Sequence, residues 1–172
     1  MLPGDGLFTR KRKESLDSYL ILKLIHTLSA TILAGTGIGI AFFMYMANRS
    51  ENIHAIAVTT RHVVLADWIF TTPAIIIQLI TGFWLMKILN YSFSSPWFMA
   101  AIGLFLFVGA CWIPVVFIQY QLRNIAVTQL ETAAIEKRFK LLMKRWTILG
   151  IHAFIGIILI FWLMVFKSLP VK

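Results

Sequence analysis

The chain has 172 residues, of which 59% are hydrophobic and 13% charged, with a mean hydropathy of +0.83. Soluble domains carry about 25% charged residues, so a water-soluble globule is excluded. The net charge of +9 arises from 16 basic and 7 acidic residues; because the bases flank apolar runs, they suit anionic lipid and not nucleic acid. The one cysteine, Cys111, excludes an intrachain disulfide or a multi-cysteine metal site built from this chain alone.

Residues 1–18 hold Pro3, Gly4 and Gly6 before Arg10, Lys11, Arg12 and Lys13, and are expected to form a mobile basic tail. The rest, 19–172, reads as a single membrane domain with four apolar runs at about 19–46, 62–89, 96–122 and 146–166. Each run clears the roughly 20 residues needed to cross a bilayer. The first is too long for the core of a cleavable signal and reads as a retained span. Between the first two runs, Ile53, Ile56 and Ala57 at near-helical spacing predict a short interfacial helix. Asn90 to Ser95 reads as a turn, with Pro96 opening the third span. Thr128 and Glu131 form a candidate capping box for a basic amphipathic helix carrying Ile135, Phe139, Leu142 and Trp146 on one face. The expected fold is therefore all-α, a polytopic four-helix bundle with that helix between spans three and four. The basic residues divide eight to eight between its two sides, so the positive-inside rule does not orient it.

Function must reside in the polar residues that the spans tolerate, because burying an ionisable group in lipid is costly. His26, in span one, has Ala30, Ala34 and Gly37 above it, a stripe small enough for a flat ring or a helix to approach. His152, in span four, has Gly156 at the next turn. Both are candidate haem ligands; close helix packing with a hydrogen bond across an interface is the other reading. At about 1.5 Å per residue the two histidines differ in depth by roughly 10 Å, which disfavours one shared iron. The same arithmetic brings Asp67 to the depth of His152, where a carboxylate could orient the imidazole or relay a proton. Asp67 as a helix cap, or paired with Arg61, is the alternative. Gln78 must point into the bundle, as a ligand contact or as glue between helices. His62 is expected at the interface. Pro73 should kink span two, with Thr71 or Thr72 satisfying the freed carbonyls. Thr27, Thr31, Gly35 and Gly39 make a small-residue seam expected to pack another helix.

The run from Tyr19 through His26 to Phe43, with Arg61-His-Val-Val-Leu-Ala-Asp67-Trp68 and Phe70-Thr-Thr-Pro73, resembles a family of predicted bacterial integral membrane proteins. That family is in turn distantly similar to the copper-resistance protein D-like group of four-helix membrane units, in which a histidine near the start of the first span recurs, and His26 matches it. The resemblance implies a bacterial inner membrane and a redox-associated protein binding haem b, with His26 as the first candidate ligand; His152, from the residue pattern, is the second. Asp67, Gln78, Arg61 and His62 would then support the ligands or relay protons. A homo-oligomer or a membrane redox partner is the expected association, besides the lipid bilayer. The chain has no Met-x-x-Met or His-x-His cluster, which argues against copper transport. Two further readings remain open: a non-catalytic subunit or scaffold whose basic 123–145 segment docks a partner or lipid, and a small proton-coupled carrier using Asp67 and His152.

Overall fold

A computed structural model describes residues 5–130 and 137–166, with side chains from Leu16 onward. Helix α1 spans Asp5–Arg49, α2 spans Ile53–Ala66, a π-helical turn covers Asp67–Thr71, α3 spans Thr72–Ile88, α4 spans Pro96–Thr128 and α5 spans Lys137–Phe166. Because α2, the π turn and α3 form one continuous rod, four helical rods are long and apolar enough to cross a membrane. The bundle matches the all-α, four-span architecture expected from the sequence.

The rods overrun the apolar runs. α1 begins at Asp5, within the stretch expected as a tail. α2 begins at Ile53 and absorbs the expected interfacial helix. The basic amphipathic segment enters span four as the first turns of α5, with Phe139, Leu142, Met143 and Trp146 buried. Thr128 is not the start of that helix: it closes α4, its hydroxyl donating to the carbonyls of Asn124 and Ile125 at 3.1 and 2.9 Å. Glu131 and Ile135, the other parts of that expectation, lie outside the described residues.

Local chemistry sets the ends. Asn52 caps α2, its Oδ1 accepting from the amides of His54 and Ala55 at 2.9 and 3.3 Å. α3 ends where Tyr91 N–H bonds Met86 O and Asn90 N–H bonds Lys87 O, with Asn90 at φ 51°. Asparagine is one of the few residues that tolerates this left-handed position. Pro96 opens α4, where its missing N–H costs nothing.

One apolar cluster occupies the end of the bundle formed by the C-termini of α1 and α4, the start of α2 and the start of α5. Met44, Ile56, Leu122 and Phe139 are its largest fully buried side chains. That end also carries Arg49, Arg61, Arg123, Lys137, Arg138, Lys140, Lys144 and Arg145. Water and headgroups therefore surround it, and there the hydrophobic effect drives burial. Deeper in lipid that driving force vanishes, and the helices hold together through sparse, specific contacts.

α1 packs along α2, the π turn and α3, while α4 packs along α5 and α2. α5 also touches α1 over a short stretch. α3 and α4 diverge in backbone, and the rings of Phe83, Phe93 and Phe98 bridge them with centroids 5.4 to 6.2 Å apart. The Thr27, Thr31, Gly35, Gly39 seam does not pack a neighbouring helix as expected: a Cβ built on Gly35 or Gly39 meets nothing within 4 Å. Thr27 and Thr31 instead bond carbonyls of their own helix.

Candidate functional site

Asp67 opens the π turn in the middle of span two. Pro73 has no N–H to offer the carbonyl four residues back, and the turn before it widens so that Thr72 N–H bonds Asp67 O. The disturbance expected at Pro73 takes the form of this wider turn. Thr71, expected to satisfy a freed carbonyl, instead turns a buried hydroxyl toward Asp67 and closes no hydrogen bond of ordinary geometry.

The turn aims the Asp67 carboxyl at α4. Asp67 is 6% exposed, and Thr71, Gln119 and Trp112 are the side chains reaching toward it. These three stand within side-chain hydrogen-bonding reach of the carboxyl, yet Asp67 Oδ2, Thr71 Oγ1, Gln119 Oε1 and Trp112 Nε1 are buried and close no hydrogen bond of ordinary geometry. Buried polar atoms are nearly always well paired, so a carboxyl oxygen and three neighbouring polar atoms that reach one another without closing ordinary hydrogen bonds are an exceptional concentration. Beside them lies a recess of about 220 Å³ lined by Asp67, Trp68, Trp112, Phe117, Gln119 and Tyr120, among others. Trp68 Nε1–H donates to Tyr120 Oη, joining its two walls. Six residues past Arg61, Asp67 sits about 9 Å inside the charged rim. No ion pair to Asp67, from Arg61 or any other base, occurs among the described residues. Asp67 also caps no helix, since it continues one at φ −61° and ψ −40°.

His26 belongs to a different place, the α1–α3 seam. Its Nδ1 lies 2.8 Å from Thr81 Oγ1, and Gln78 Nε2–H donates to His26 O at 2.7 Å. Thr81 gives its one hydroxyl proton to Ile77 O at 2.6 Å. With that proton on Ile77 O, the neutral imidazole is assigned as the Nδ1–H tautomer, which leaves a lone pair on Nε2. A Cβ on Gly82 would stand 3.4 Å from His26 Cε1, so the ring fills the space that glycine leaves. Gln78 and His26 together staple α1 to α3, the interhelical role that was one of their two readings.

His152 is exposed on α5, its Nδ1 2.7 Å from Ile148 O. The gap expected beside it at Gly156 is filled by α4: a Cβ there would lie 2.6 Å from Val108 Cγ2 and 3.5 Å from Phe107. Phe83 meets Phe98, and Trp97 Nε1–H donates to Leu163 O. These contacts set Gly82, and hence His26, level with residues near 162 of α5. His152 is thus about 15 Å away in height, and a haem bridged by His26 and His152 does not fit within one chain. The Gly156 contact puts His152 level with Cys111 and Trp112, close to the depth of Asp67. Asp67 faces α4, however, and α5 packs on α4 and α1 and not along span two. The expected Asp67–His152 partnership is not formed.

His62 is exposed and lines a second recess of about 450 Å³ with Thr36, Gly39, Phe43, Thr59 and Phe70. Arg61 is exposed at the rim. Gln119 and Tyr120 were missed by sequence reasoning. The signal available was Gln119 itself, an uncharged polar residue near the end of an apolar run, where it also passes as an interfacial residue.

Comparison with known proteins gives one family model, described as a predicted integral membrane protein (DUF2269), matching residues 20–168. No curated protein and no solved structure matches the chain.

Proposed function

The chain belongs to the DUF2269 family of predicted integral membrane proteins, and on that premise we propose that it is a small proton-coupled carrier whose proton-binding group is Asp67. The observation that carries this reading is the buried carboxyl of Asp67, with no ion pair among the described residues and with only the uncharged polar groups of Thr71, Trp112 and Gln119 in reach of it, none closing an ordinary hydrogen bond to Oδ2. A carboxylate taken out of water without a counter-charge is strongly disfavoured. It is relieved by a proton or by a bound solute, and exchange of one for the other is the basis of coupling. Intramembrane carboxylates mark such relays, and π turns recur at functional sites because their wider bonding is easily rearranged.

Purified protein in proteoliposomes under an imposed pH gradient tests this, with a panel of labelled amines, amino acids, sugars and carboxylates. At least one class is expected to accumulate, and both Asp67→Asn and an uncoupler should abolish it. Absence of Asp67-dependent accumulation for every class would contradict the carrier.

The Nε2 lone pair of His26 favours a second reading, haem b held by a single histidine. An oxidised and dithionite-reduced absorption spectrum of protein grown with ample haem decides it. A reduced alpha band lost in His26→Ala supports ligation, and a colourless folded protein rules it out.

A further inference from the structure

The recess at Asp67 has walls whose chemistry selects a ligand. Trp68, Trp112, Phe117 and Tyr120 supply aromatic surface, and Asp67 with Gln119 supplies the only strongly polar ground among them. We propose that this recess binds the headgroup of a small organic cation, an amine or quaternary ammonium, with the carboxylate as counter-ion and the aromatic rings as its cage. This rests on the carrier reading above and names its substrate class.

Three observations favour a cation of this kind. The carboxyl has no partner cation among the described residues: Arg123, the base on α4, lies over the Tyr120 ring at 4.9 Å and bonds Asn124 Oδ1 through Nε and Nη2. Aromatic faces attract ammonium groups through the ring quadrupole, and more strongly when water is excluded. The volume, about 220 Å³, falls below the roughly 300 Å³ lower bound for sites that enclose drug-sized ligands. It suits a headgroup whose tail remains outside. Trp68, Ile113 and Phe117, on the recess wall, are 60%, 54% and 63% exposed on the lipid-facing surface of the rods. The tail would therefore lie in the bilayer, and an amphiphilic amine would enter sideways.

An alkali ion is the competing occupant. It prefers about six oxygen ligands, and the buried oxygens here that close no ordinary hydrogen bond are those of Asp67, Thr71 and Gln119, against a wall of carbon.

Proton and cation should compete for the one carboxylate. Around it, α4 offers Tyr120, Cys111 and the rim residue Arg123, and α2 offers the exposed Arg61 and His62. α3 carries Lys87 at its far end, and α1, packed against the π turn, has no ionisable group between His26 and Arg49 except Tyr45. Asp67 is thus the acid whose protonation removes the counter-ion, and affinity should rise with pH.

Full-length protein in nanodiscs is titrated with benzyltrimethylammonium, its neutral isostere neopentylbenzene, and sodium chloride, following tryptophan fluorescence. The ammonium is expected to bind saturably, at least about tenfold tighter than the isostere, and more tightly as pH rises. Asp67→Asn and, independently, Trp112→Leu should each weaken it by about tenfold or more. The wild-type comparison of ammonium with isostere stands even if a variant fails to fold. Equal binding of the isostere, binding unchanged in Asp67→Asn, or a response to sodium alone would overturn the proposal. If the ammonium fails while a pH gradient still drives Asp67-dependent uptake of a neutral or anionic solute, the cation assignment falls and the carrier stands.

Discussion

Asp67 and His26 were both visible as ionisable residues inside apolar runs, and the structure assigns them opposite characters. His26 spends its Nδ1 proton on Thr81 and fills the space left by Gly82, whereas Asp67 is buried with an oxygen that closes no ordinary hydrogen bond. Removing the first should cost stability, and removing the charge of the second should not. His26→Ala is expected to lower unfolding free energy in detergent by about 0.5–1.5 kcal/mol, the usual worth of one hydrogen bond, measured by thermal or denaturant unfolding. Asp67→Asn keeps the shape, removes a buried charge, and should leave the melting temperature unchanged or raised. A large destabilisation by Asp67→Asn would mean that the carboxyl is structural. Sequence alone could not separate the two residues, because partnership depends on which face of which helix arrives opposite. Spacing within one helix supplies its face, and not its neighbour.

At the scale of elements, helix type and the existence of four spans were legible from apolar run length, while the helix ends were not. Apolar runs stop where charge begins, but a helix continues past the membrane as long as its backbone bonds are satisfied, which is why α2 starts at Ile53 and α5 at Lys137. The π turn was hidden for a related reason: Pro73 announces a disturbance, and only the surrounding helices decide whether it becomes a kink or a widened turn. Depth arithmetic along each span carries no information on which rods are adjacent. The α4–α5 pair depends on Gly156, where any side chain meets Val108. Gly156→Val should therefore destabilise by about 1–3 kcal/mol through overpacking, while Gly150→Val, at an open position, should change little. Parallel unfolding curves of the two variants check this, and equal effects would contradict the close approach.

Across the whole molecule, cohesion is divided between a water-side apolar cluster and a lipid-side set of specific contacts. Phe139, 1% exposed in the cluster, should cost about 3–5 kcal/mol when replaced by alanine. Phe117→Ala, at a side chain 63% exposed to lipid, should cost far less, since its ring is already in an apolar solvent. Denaturant unfolding in nanodiscs distinguishes the two. Between these regions, where the α2–α4 contact gives way to the diverging α3 and α4, lies the Asp67 recess. It lies about 9 Å inside the charged rim, beyond the packed cluster, with Asp67 buried at its wall. Whether Asp67 exchanges a proton there is read most directly from pH-difference infrared spectra of wild type and Asp67→Asn in nanodiscs. The carrier account predicts a protonated-carboxyl band that appears and disappears across the accessible pH range in wild type and is missing in the variant. Spectra in which the variant and wild type titrate identically would show that Asp67 is locked in one state, and would contradict it.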